Sequence, residues 1–129
     1  RQGQSIAILA FGVVLQFCLE AAEDLNATVV NMRFVKPIDE DMILQMAAAH
    51  ELLVTVEENM VQGGCGSAVS EVLAAHGIAC KIIHYGLPDR LVQHGSREDM
   101  LNDVKLNKAG ILEFISHYVS ANKKRVKSA

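Results

Sequence analysis

The stretch from Leu52 to Val69 constrains the fold more than any other part of the chain. It opens as an apolar, β-branched run, Leu52-Leu53-Val54-Thr55-Val56, and reaches two carboxylates, Glu57 and Glu58. It then loops through Gly63, Gly64 and Gly66 into the helical pattern Ser67-Ala68-Val69. A strand that turns through glycines into a helix presents free backbone N–H groups and a positive dipole end at the strand's C-terminal edge. In an open parallel sheet, that edge is where ligands and partner domains meet the fold.

The remainder supplies the alternation that such a sheet requires. Ser5–Phe11 is a nearly continuous apolar run closed by Gly12, as expected of a strand buried on both faces. Val13, Val14, Phe17, Cys18, Ala21, Ala22 and Leu25 follow on one helical stripe, and Ala27–Met32 forms a second strand. Pro37 keeps Arg33–Lys36 extended, and Asp39 suits the N-cap of a helix running to His50. After the third strand, Leu52–Val56, and the glycine turn, a helix stops at Gly77. A fourth strand, Cys80–Tyr85, leads into the loop Gly86–Gly95. Ser96 with Asp99 resembles a capping box, and Asn107 is placed to cap the last helix, with stripe Ile111, Leu112, Ile115, Tyr118 and Val119. The expected fold is α/β: a three-layer α/β/α, doubly wound, mainly parallel sheet. Residues 1–121 form the domain, and residues 122–129 a basic, frayed tail.

Composition excludes several functions. A formal net charge of -3 over 129 residues gives no support for nucleic-acid binding. Three cysteines without paired spacing argue against a disulfide framework and for a reducing, cytoplasmic compartment. No stretch has the length and apolarity of a membrane span. The chain opens on Arg1 rather than methionine, which reads as a fragment of something longer or a processed product.

Individual residues offer little independent chemistry. Glu57 and Glu58 are strand neighbours pointing to opposite faces, so they cannot converge on one reacting atom without a bend. One is expected to cap the loop's N–H groups and the other to contact a neighbouring domain. The glycines lack the Lys-Ser/Thr of a P-loop and the dinucleotide spacing, which leaves close packing or a weak anion contact. Cys65, near a helix N-terminus, would favour its thiolate if exposed, but its small-residue surroundings suggest packing. None of the five histidines forms a His-x-x-x-His pair, and His94 is kept only because it lies in a loop.

Three motifs in order carry a resemblance. Thr55–Asn59 followed by Gly63–Val69 resembles the C-terminal domain of transketolase-like thiamine diphosphate enzymes. Asn31–Asp39, and Gly86–Arg90 with His94–Glu98, are closely similar within that group to the 1-deoxy-D-xylulose-5-phosphate synthases. The resemblance implies strand order 2-1-3-4 and a parent enzyme that condenses pyruvate with glyceraldehyde 3-phosphate, releasing CO2. Thiamine diphosphate and Mg²⁺ would be held by preceding domains of a homodimeric parent. This fragment would hold no cofactor, metal or catalytic residue. Glu57, Glu58, Gly63, Gly64, Gly66, Ser67 and His94 are its expected interdomain or weak anion contacts. No nucleic-acid or membrane partner is expected.

The resemblance also implies an antiparallel strand upstream of Ser5, pairing with Ala27–Met32. Without it, that edge is expected to pair with a second copy, with the chain's own termini or with water, the second copy being favoured. Two rivals stand beside this reading. One is the same module from a 2-oxo acid dehydrogenase β subunit, which Gly86–Glu98 argues against. The other is a free-standing flavodoxin-like domain. A receiver of that type should have clustered aspartates after its first strand, where this chain has Phe11-Gly12-Val13.

Overall fold

The computed structural model describes residues 1–127, and side chains up to Asn122. Strand β1 (Ile6–Phe11) is followed by a 3-10 turn (Gly12–Val14), helix α1 (Leu15–Leu25) and strand β2 (Thr28–Asn31). Helix α2 (Glu40–Ala49), strand β3 (Leu52–Met60), helix α3 (Cys65–Ala75) and strand β4 (Ile82–Leu87) come next. Helices α4 (Arg97–Asp103) and α5 (Lys108–Lys127) close the chain. The four strands are parallel in the order β2-β1-β3-β4, as the resemblance implied.

Alternation along the strands divides the core into two. Ile8 and Ala10 of β1, with Leu52, Val54 and Val56 of β3, meet α1, α4 and α5. Ala7, Leu9 and Phe11, with Leu53, meet Ile43 of α2 and Val69, Val72 and Leu73 of α3. This is the period-2 consequence of burying a sheet on both faces. α1 and the pair α2/α3 therefore lie on opposite sides. The chain reverses direction across the sheet between β1 and β3.

The caps anticipated from sequence form. Asp39 accepts from the Met42 N–H (2.9 Å), Ser96 from the Asp99 N–H (3.2 Å) and Asn107 from the Gly110 N–H (3.0 Å). Gly77, with φ +65°, ends α3.

Four features differ from the sequence reading or add to it. Gly12–Val14 is a 3-10 turn, not the start of α1, and this turns Val13 out to solvent. β3 runs on through Glu57–Met60, and β4 runs two residues later, to Leu87, with Met60 opposite Leu87 beyond a bulge. α5 continues through the basic segment to Lys127, with no glycine or proline after Gly110 to stop it. Residues 128 and 129 lie outside the described residues. Finally, part of the outer edge of β2 is taken by the chain's own N-terminus. The Val29 N–H donates to the Arg1 carbonyl (3.0 Å), and the Arg1 amino group donates back to the Val29 carbonyl (3.3 Å). This exchange is that of an antiparallel pair.

Candidate functional site

The glycine turn and the strand ends around it form the candidate site. Glu57 is 1% exposed. Its Oε2 accepts the Cys65 N–H (2.6 Å) and its Oε1 the Gly66 N–H (2.9 Å). A carboxylate is favoured at this position, because the first amides of a helix lack internal acceptors and sit at the positive end of its dipole. Three further amides of the turn are also occupied. The Gly63 N–H donates to Ser67 Oγ (3.1 Å), the Gly64 N–H to the Val61 carbonyl (3.3 Å) and the Ser67 N–H to the Gly64 carbonyl (3.1 Å). Glu57 is thus the residue that caps the turn. An outside anion would have to displace a buried carboxylate of its own sign.

Glu58, one residue on, faces the other way and pairs with Arg97 of α4. The two carboxylates do not converge. His94 is exposed and makes no side-chain hydrogen bond among the described residues.

Beneath Glu57 lies a polar row that was not singled out from sequence. Thr55 Oγ1 and His84 Nδ1 are 2.7 Å apart, and His84 Nε2 lies 3.0 Å from Ser70 Oγ of α3. Thr55 is fully buried and opposes His84 across the β3–β4 ladder. The available signal was Thr55 and Glu57 two residues apart on one face of an apolar strand, since buried polar groups require partners. Burial holds the His84 imidazole below its ordinary value of 6.5, partly offset by the nearby Glu57 charge. A histidine kept neutral in the fold binds fewer protons than the same residue unfolded. Its contribution is therefore complete above about pH 6.5 and is lost as pH falls through the folded value. Replacing His84 with Gln flattens the decline in unfolding midpoint between neutral pH and pH 5, as measured by a thermal pH series.

The Cys65 thiol is half-buried. Burial, then the Glu57 charge and a hydrogen bond to it, push it up to about 11. The helix dipole that would favour a thiolate is already used by Glu57. Iodoacetamide at pH 7.5 modifies Cys65 more slowly than a free cysteine peptide, and Glu57→Gln speeds the reaction; mass spectrometry reads both.

Two other histidines make hydrogen bonds within the fold. His50 bridges Thr28 Oγ1 (2.8 Å) and the Met46 carbonyl (3.0 Å), and His76 contacts Glu40 (3.0 Å). Among the described residues, no three His, Cys, Asp or Glu side chains are grouped to hold a metal ion. No helix among them is long and apolar enough to cross a membrane.

A cleft of about 440 Å³ opens at the strand ends between Phe11–Val13 of β1 and Glu57–Asn59 of β3. It sits where the chain reverses direction across the sheet, the usual position of a ligand or partner in such folds. The family model for the C-terminal domain of transketolase matches residues 1–111. The chain belongs to the transketolase C-terminal domain family. Among curated proteins, it is 58% identical over 118 residues to a 1-deoxy-D-xylulose-5-phosphate synthase from Nitrosococcus oceani, covering 92% of this chain and 18% of that one. It is 57% identical over 112 residues to the synthase of Thioalkalivibrio sulfidiphilus, covering 87% and 18%. A solved chain described as a split gene transketolase, inactive beta4 tetramer, superimposes with TM-score 0.82 at 30% identity, covering 91% of this chain and 40% of that one. This transketolase C-terminal domain thus spans under a fifth of the length of the synthases it matches.

The thiamine diphosphate implied by this family does not fit the domain's glycine turn. A diphosphate needs free amide donors or cations, and these amides already hold Glu57.

Proposed function

We infer that this chain is the C-terminal domain of a 1-deoxy-D-xylulose-5-phosphate synthase. The 58% identity over 92% of its length carries the reading. The order β2-β1-β3-β4 and the 0.82 superposition on a transketolase chain support it. The parent enzyme would decarboxylate pyruvate on thiamine diphosphate with Mg²⁺ and join the two-carbon unit to glyceraldehyde 3-phosphate. Such an enzyme works as a cytoplasmic homodimer, with the cofactor held by its other domains. On this reading none of the described residues is the acid, base or nucleophile of that reaction. Their part is to present a rigid strand-end surface, fixed by Glu57 and by the Thr55–His84–Ser70 row.

The test is a hybrid enzyme in which the matched segment of the Nitrosococcus oceani synthase is replaced by this chain. The expected result is product formation from pyruvate and glyceraldehyde 3-phosphate within about tenfold of the unaltered synthase, a loss of about 1.4 kcal/mol of transition-state stabilisation at most. A folded hybrid without activity would overturn the reading.

A further inference from the structure

The sheet has two edges, and only one of them is protected. Part of the outer edge of β2 is occupied by the chain's own N-terminus, through the Arg1–Val29 exchange. At the other end of the order stands β4, with no strand beyond it. The Leu53 N–H donates to the Lys81 carbonyl (2.9 Å), and Leu53 lies opposite Ile82. In a parallel ladder the backbone groups of alternate residues turn to opposite sides, so Lys81, Ile83 and Tyr85 bond inward to β3. The N–H and C=O groups of Ile82 and His84 point outward, and no backbone partner meets them among the described residues. Neither a charge nor a proline, the usual guards of an exposed edge, interrupts Ile82–Leu87. Beside this edge, on the α5 side, lies a groove of about 530 Å³ lined by Tyr85, Phe114, Tyr118 and Glu113, among others. The Tyr85 ring is tilted against Phe114 (centroids 4.6 Å), and its hydroxyl donates to the Lys105 carbonyl (2.8 Å). Glu113 Oε2 takes Lys105 Nζ (3.0 Å), while its Oε1 has no partner among the described residues. Lys81 is exposed and has no ion-pair partner among them.

We propose that β4 is the edge through which two copies of this chain pair, antiparallel, about a two-fold axis at Ile83. In this register the free groups find partners. Ile82 and His84 of one copy exchange backbone hydrogen bonds with His84 and Ile82 of the other. Ile83 faces Ile83 of the second copy on the α5 side, a β-branched pair at the closest spacing an antiparallel ladder offers. Lys81 falls opposite Tyr85 of the second copy and brings its ammonium to the groove that holds Glu113. Symmetry repeats the contact on the other side of the axis. A register centred on His84 instead would set Lys81 against Leu87 and lose the charge pair. The edge thus calls for a strand that is uncharged at its centre and carries a cation two residues before it. Lys81-Ile82-Ile83-His84 is such a strand, which selects a second copy as the occupant. The pairing stands whichever parent enzyme the domain belongs to.

The test is sedimentation equilibrium of the 129-residue chain over a concentration series, alongside two variants whose folding is checked by circular dichroism. The native chain is expected to dimerise with a dissociation constant of about 10 μM. Lys81→Glu, at an exposed position, should weaken the dimer about tenfold, because it sets an acid against Glu113 at two symmetric places. Ile83→Cys, in a Cys65→Ser/Cys80→Ser background, should form an intermolecular disulfide on mild oxidation. The two Cα atoms of such a directly opposed pair stand about 4.5 Å apart, within reach of a disulfide. A native chain that stays monomeric up to about 1 mM would overturn the proposal. So would a dimer that lacks either response, since another surface or register would then hold the copies together.

Discussion

Glu57→Gln should lower the stability of this domain by about 3 kcal/mol, more than any other single side-chain exchange that preserves volume. The two oxygens of Glu57 each accept one amide hydrogen at the start of α3, in a position 1% exposed to solvent. Glutamine retains one acceptor and turns an NH₂ group toward the second amide, leaving two donors opposed without water. It also removes the negative charge that the helix N-terminus favours. For a chain of 129 residues, the unfolding midpoint should fall by about 10 °C, measured by calorimetry at neutral pH. A fall of only a degree or two would mean that the turn does not depend on its carboxylate.

The second large effect is steric. A Cβ on Gly64 would overlap the Met60 carbonyl oxygen and Glu57 Oε2. The backbone there is extended, with φ -82° and ψ -167°, which any residue adopts. Gly64→Ala therefore costs close approach rather than conformational freedom, and should destabilise by about 2–3 kcal/mol. Gly63 presents the opposite case: φ is +74° and nothing lies within 4 Å of a new Cβ. Gly63→Ala should cost only about 1 kcal/mol, from left-handed backbone strain alone. Urea midpoints of the two variants, compared at equal m-value, separate the causes. Equal losses would contradict the assignment of Gly64 as the packing glycine.

These two positions also show what the sequence could and could not disclose. The caps were legible because each rests on one residue's hydrogen-bonding habit, as with Asp39, Ser96 and Asn107, whereas strand order and helix sides followed from the family resemblance. The third strand was expected to stop at Val56 because carboxylates follow. It runs to Met60 because α3 supplies amides to bury Glu57, a tertiary partner that no local pattern reveals. Cys65 was read as packed from its small neighbours; that Glu57 takes up the dipole which would favour a thiolate is again a tertiary fact. His84 was passed over as one polar residue in a strand. Its role follows from a register that sets it opposite Thr55 and below Ser70. Val13 was assigned to a buried stripe because a regular helix was assumed from that point; the 3-10 turn over Gly12–Val14 rotates it outward.

The strand-to-helix turn is closed by the chain's own carboxylate, and we infer that it serves as scaffold. Isothermal titration of the 129-residue chain with thiamine diphosphate and Mg²⁺ tests it most directly. No saturable heat is expected for the native chain, whose turn amides hold Glu57. Stoichiometric micromolar binding to the native chain would contradict it.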